Sequence, residues 1–125
     1  MNWDDYPNFS KAEFDCKHTG RNEMRPEFLS RLQELRTRYG RPIIISSGYR
    51  DPSHPVEARK ASPGTHSLGL ACDVRCEGQQ AYEILKLALE LGFTGIGIKQ
   101  KGAGRFIHLD MAAHPFVRPN LWSYA

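Results

Sequence analysis

Four residues of this chain combine ligand-type side chains with settings that ordinary core or surface positions do not explain: His66, Asp73, His108 and Asp110. His66 and Asp73 lie in the stretch Gly64-Thr-His-Ser-Leu-Gly-Leu-Ala-Cys-Asp73. A neutral imidazole and a carboxylate are both competent zinc ligands. Between them, Gly69 permits a tight turn, and Leu70, Ala71 and Cys72 begin a buried strand. A carboxylate inside such an apolar run is costly to bury unless a proton, a cation or hydrogen bonds compensate it. The same anomaly recurs in Phe106-Ile107-His108-Leu109-Asp110. A metal ion between the two strands would account for both.

On a strand, His108 and Asp110 share one face with Phe106, while Ile107 and Leu109 point to the other face and the core. If the two strands are neighbours in one sheet, His66, Asp73 and His108 can converge on one ion. Three protein ligands leave a fourth tetrahedral position open to water, as in a catalytic zinc site. Such an ion lowers the pKa of its water to about 7 and polarises a carbonyl, which suits hydrolysis of an amide. The plainer alternatives stand beside this. A strand histidine is more often a hydrogen-bonded core residue, and a strand aspartate is often a cap or an ion-pair partner. Arg50, at the end of Ser46-Ser47-Gly48-Tyr49-Arg50, offers a forked donor for a substrate carboxylate or an oxyanion. It reads equally well as a surface arginine.

The elements that must position these residues are legible from periodicity. Ser10-Lys11-Ala12-Glu13 fits a capping box that starts a short helix, with Phe9 and Phe14 facing inward. Pro26 opens a longer helix with an apolar face of Phe28, Leu29, Leu32 and Leu35, ended by Gly40. The β-branched run Pro42–Ser47 predicts a strand buried on both faces. A long segment, Gly48–Ser67, follows; it carries Pro52, Pro55 and Pro63, and loops of this length are often functional. Leu70–Arg75 predicts a strand and Gln79–Leu91 an amphipathic helix stopped by Gly92. Thr94–Lys99 alternates small and large residues, so something approaches this strand closely at its glycines. A glycine-rich turn pairs it antiparallel with Arg105–Asp110. The tail from Met111, with Phe116, Trp122 and Tyr124, is expected to wrap the surface. The fold class that results is α+β: residues 1–125 as a single domain with a small, mainly antiparallel sheet and flanking helices.

The bulk numbers narrow the function classes. The chain has 125 residues, 40% of them hydrophobic and 25% charged, which suits one soluble globular domain with a real core. A formal net charge of +3 without a dense basic run gives no nucleic-acid signature. No stretch approaches the roughly 20 apolar residues that span a bilayer. The acidic, aromatic N-terminus lacks the basic and apolar parts of a secretory signal, so synthesis in a cytoplasm is expected. Cys16, Cys72 and Cys76 are odd in number and form no CxxC pair, as expected of reduced structural thiols. A monomer is the default expectation.

Taken together, Ser-Gly-Tyr-Arg ending at Arg50, His-Ser-Leu-Gly-Leu-Ala-Cys-Asp from His66 and Phe-Ile-His-Leu-Asp ending at Asp110 resemble the M15 metallopeptidases. That family includes D-Ala-D-Ala carboxypeptidases and phage endolysins that cut peptidoglycan stem peptides, and it shares its fold with the hedgehog signalling domain. The resemblance runs from about Phe9 to Trp122, and the short chain with its Arg118–Tyr124 ending looks most like the phage proteins of the group. It implies one Zn2+ held by His66, Asp73 and His108, with Arg50 binding substrate and transition state. It also implies a peptidoglycan peptide substrate, and action at the cell wall or periplasm after holin-mediated release or from the virion. Gly64 replaces the usual serine two before the first histidine. Many members place Glu or Asp three residues before the last zinc histidine, or a histidine two before it; here those positions hold Arg105 and Phe106. This chain has the His-x-Asp ending of a subset, which makes Asp110 the candidate for general base or for orienting a ligand. His54, in the long loop, is a further candidate to reach substrate. The readings left open are an endopeptidase, a D-Ala-D-Ala carboxypeptidase or dipeptidase, and a non-enzymatic zinc domain.

Overall fold

The helices begin and end where local chemistry says they should. A computed structural model describes all 125 residues. The Glu13 carboxylate accepts from the Ser10 N–H at 2.8 Å and closes the start of α1 (Lys11–Phe14), which buries Phe14. α2 (Pro26–Tyr39) starts on its proline and stops at Gly40, whose φ of 73° lets its N–H reach back to the Arg36 carbonyl. Its inner face is Phe28, Leu29, Leu32 and Leu35, all fully buried. α3 (Pro55–Ala58) is a single turn in the long loop, and α4 (Gly78–Glu90) buries Ala81, Ile84 and Ala88. A 3-10 turn over Thr65–Leu68 precedes the second strand. No helix is long and apolar enough to cross a membrane.

The strands β1 (Ile44–Ser47), β2 (Ala71–Arg75), β3 (Gly95–Lys99), β4 (Phe106–Asp110) and β5 (Asn120–Ser123) form one sheet in the order β1-β2-β4-β3-β5. Every neighbouring pair is antiparallel except β3 and β5. Together with the helices this makes a single small α+β domain.

Alternation along the strands gives the sheet two different faces. One face carries Cys72, Val74, Ile96, Ile107 and Leu109, all buried in the main core with the inner residues of α2 and α4. Phe28 of α2 meets Phe93, in the turn that leads into β3, edge-on at 5.8 Å between ring centroids, which packs α2 against that turn. The register puts Ser47, Asp73, His108, Gly97 and Trp122 in one row across the opposite face. Ala71, Asp110, Gly95 and Asn120 form the next row. The residues that could do chemistry therefore lie side by side on the face away from the main core.

Two expectations need correction. β1 is an edge strand, not one buried on both faces: it pairs only with β2, and Ile44 is 58% exposed. An apolar β-branched run cannot by itself say whether a second sheet layer covers it. The tail does more than wrap the surface. Residues 120–123 add β5 parallel to β3, and Trp122 pairs in register with Gly97.

Candidate metal centre and its cleft

His66, Asp73 and His108 come together as one group, their ligating atoms all within 4.8 Å of one another and all three residues buried. Asp73 and His108 are register partners on β2 and β4, so adjacent antiparallel strands set their separation. His66 arrives from the turn before β2. Gly69 ends that turn with φ 73°, and a side chain there would strike the Glu23 carbonyl, so glycine is required. Asp73 Oδ1 lies 3.4 Å from His66 Nε2 and 3.2 Å from His108 Nδ1. Zinc bonds of about 2.0–2.1 Å at tetrahedral angles put donor atoms about 3.3–3.4 Å apart, so these two separations fit such an ion.

The other nitrogen of each imidazole is tied down. His66 Nδ1 lies 2.8 Å from the Gly48 carbonyl, which takes its N–H in the neutral ring and leaves Nε2 as the nitrogen that faces Asp73. His108 Nε2 lies 2.8 Å from Asp110 Oδ2, which leaves Nδ1 facing the cluster. Both tautomers are thereby set for donation into the same space. The rings meet edge to face, 5.1 Å between centroids.

Asp110 is fully buried and its two oxygens accept four hydrogen bonds. Oδ2 accepts from His108 Nε2 and from an Arg118 terminal nitrogen at 2.7 Å; Oδ1 accepts from Arg118 Nε at 2.9 Å and the Ala112 N–H at 3.1 Å. Its neighbour across the sheet must be Gly95, because a Cβ at that position would collide with the carboxylate. Of the two roles that the sequence allows Asp110, these surroundings favour the orienting one. It has no free lone pair towards the cleft and sits on the far side of the His108 ring from Nδ1. Its geometry is that of an orienting partner for His108.

Charge within the cluster follows the same contacts. Burial alone would raise the Asp73 and Asp110 carboxyls, but hydrogen bonds from His108, with His66 on Asp73 and Arg118 on Asp110, outweigh it and hold both well below the usual carboxylate range. Burial would lower His108, but its bonds to Asp110 and Asp73 prevail and raise it above the ordinary imidazole value.

An open cleft of about 420 Å³ leads to the cluster. Its lining includes Arg50, Lys60, Arg118, Phe116, Trp122 and Tyr124 beside the three candidate ligands. Arg50 lies between two carboxylates, 3.3 Å from Glu57 Oε2 and 3.5 Å from Asp73 Oδ2. Trp122 covers His108 at 5.3 Å between ring centroids, across Gly97, where a Cβ would come within 2.5 Å of the indole nitrogen. The close approach expected at the glycines of β3 is thus made by Asp110 and Trp122.

His54 does not line this cleft. Its Nδ1 accepts from the Val56 N–H at 3.1 Å and caps α3, and its ring packs edge-on against His18. Sequence reasoning missed Glu57, Arg118 and, as site residues, Trp122 and Tyr124. Gly97 was the one signal for Trp122; nothing local marked Arg118, since its partner is set by the path of the tail. The three cysteines are free and buried.

No curated protein matches the chain. The family model described as Peptidase M15 matches residues 7–110, which include Arg50, the whole His66, Asp73 and His108 group and Asp110. That span is most of the chain, and its matched residues build the cluster just described: the protein belongs to the M15 peptidase family.

Proposed function

We propose that this protein is a zinc-dependent peptidase that hydrolyses peptide bonds in peptidoglycan stem peptides, as an endolysin-type endopeptidase. The observation that carries the reading is the convergence of two imidazoles and a carboxylate whose non-donating sides are already bonded elsewhere. His66, Asp73 and His108, which all line the cleft, would hold the ion. When bound, zinc supplies a Lewis acid that acidifies water and polarises the scissile carbonyl.

The chain's own residues do the rest. Arg50, held by Glu57 and Asp73, presents its remaining donors to a carbonyl oxygen or carboxylate of the substrate. Asp110 and Arg118 keep His108 in one tautomer. Tyr124, whose phenol burial pushes up, remains a hydrogen-bond donor at neutral pH. The three cations and the four aromatic rings of Phe106, Phe116, Trp122 and Tyr124 in the cleft suit an anionic peptide, and stem peptides carry free carboxylates. The reaction belongs at the bacterial cell wall, reached after holin-mediated release or from a virion.

Two further readings have support. A D-Ala-D-Ala carboxypeptidase would use the same cationic lining to bind a terminal carboxylate. A non-enzymatic zinc domain is favoured by Arg105 and Phe106 at the places where many relatives carry the base, and by a cleft whose only accessible carboxylate is the ligand Asp73. The test is digestion of purified peptidoglycan by zinc-loaded protein, with new termini identified by mass spectrometry. An internal cut supports the endopeptidase. Loss of terminal D-Ala alone replaces it with the carboxypeptidase. No cleavage at full zinc occupancy rejects both.

A further inference from the structure

Glu57 is a charged side chain with no assigned role, and it is almost wholly buried, at 1% exposure. Burying a carboxylate is costly unless cations and hydrogen bonds surround it. Here Oε1 accepts from the Gly64 N–H at 2.7 Å, Lys60 Nζ lies 3.1 Å from Oε2, and Arg50 reaches Oε2 at 3.3 Å. α3 therefore inserts one anion between the cleft arginine and the turn that carries His66.

Arg50 has two carboxylates within reach, and they compete for one guanidinium. Glu57 takes one terminal nitrogen, and Asp73 meets the other at 3.5 Å. Without Glu57, the whole fork is free to close on Asp73, since a bidentate pair is the preferred arginine–carboxylate geometry. An Asp73 engaged in that way is a poorer metal ligand. From this arrangement we infer that Glu57 is a positioning residue: by sharing the Arg50 guanidinium it keeps Asp73 available to a cation and keeps Arg50 aimed into the cleft. The inference rests on the metal-site reading proposed above.

Glu57→Gln is isosteric and keeps an oxygen for Gly64 while losing the charge. Zinc affinity is measured by competition with a chromophoric chelator in the wild type, Glu57→Gln, Arg50→Gln and the double variant. The expected result is zinc binding weakened by about tenfold in Glu57→Gln, the scale of lost outer-shell partners. In the Arg50→Gln background the same change should cost less than about threefold, because no guanidinium remains to capture Asp73. Equal losses in both backgrounds would mean that Glu57 acts only through the His66 turn and overturn the inference, as would no loss in either. Lys60→Met gives a test of opposite sign that survives misfolding of Glu57→Gln. Freed of Lys60, Glu57 holds Arg50 more firmly, so zinc affinity stays at or above that of the wild type, and weaker binding would overturn the inference. Wild-type protein that takes up no zinc refutes the metal-site reading itself, and this inference with it.

Discussion

Replacing Asp110 with asparagine separates orientation from base catalysis. Asp110 offers two oxygens to four donors: His108 Nε2, two nitrogens of Arg118 and the Ala112 N–H. Asparagine keeps one oxygen and turns the other acceptor into a donor. If its oxygen retains Arg118 Nε and Ala112, its amide faces His108 Nε2–H and the second Arg118 nitrogen, donor against donor. The charge of Arg118, whose side chain is 11% exposed, is left uncompensated. Breaking one side of a buried ion pair costs about 3–5 kcal/mol. Here the low end applies, because Arg118 still stacks on Trp122 and Phe116 and the tail lies near the surface. The expected loss is thus about 3 kcal/mol in urea unfolding of the metal-free protein. With Nε2–H unpaired, His108 is free to take the other tautomer, and zinc affinity should fall by about 10–100-fold in a chelator competition. A variant that unfolds within about 0.5 kcal/mol of the wild type and binds zinc equally well, yet has lost turnover, would refute the reasoning and restore Asp110 as a base.

Other outcomes follow from the same geometry. Arg50→Lys keeps the charge but loses the fork; kcat/KM on a peptidoglycan peptide should fall by about 10²-fold with zinc stoichiometry unchanged, and an unaltered kcat/KM would count against a role for Arg50 in the transition state. Gly97→Ala places a methyl 2.5 Å from the Trp122 indole nitrogen, so the variant should lose about 1–3 kcal/mol and shift the tryptophan emission, and identical melting and emission would contradict the packing of Trp122 over His108. Zinc binds neutral imidazole, and His108 holds its proton more tightly than a free imidazole, so zinc affinity should begin to fall while pH is still above about 6.5; a titration showing no change down to that pH would argue against it. In the metal-free protein the His108 contribution to stability is fully present below about pH 6.5 and lost as pH rises through the raised folded value. That of Asp73 and Asp110 is present above about pH 3.9 and lost as pH falls towards their depressed values, so urea midpoints should decline on both sides of this window.

What could be read from the sequence was what is local or periodic. The capping box at Ser10, the apolar stripe of α2 and the glycine at residue 40 act within one helix, and each appears where expected. The two ligand-bearing strands were legible because a carboxylate or imidazole in an apolar run needs a partner, and antiparallel pairing supplies it through the Asp73–His108 register. Contacts between distant segments were not legible. Arg118 meets Asp110 only because the tail turns back to place β5 against β3, and a proline-containing aromatic tail has no periodicity that announces a parallel edge strand. Glu57 carries no local signal, since its burial depends on Arg50, Lys60 and Gly64 closing around it. The run Pro42–Ser47 misled for the opposite reason: β-branched residues favour a strand at an edge as readily as in the middle of a sheet.

The most direct test of the account is to count the metal. Protein stripped by chelator, re-equilibrated with zinc and freed of excess should carry one zinc per chain by elemental analysis. His66→Ala, Asp73→Ala and His108→Ala, each verified as folded by circular dichroism, should carry essentially none. Zinc retained at full stoichiometry by any of the three, or absent from the wild type, would contradict the claim that this trio holds the ion.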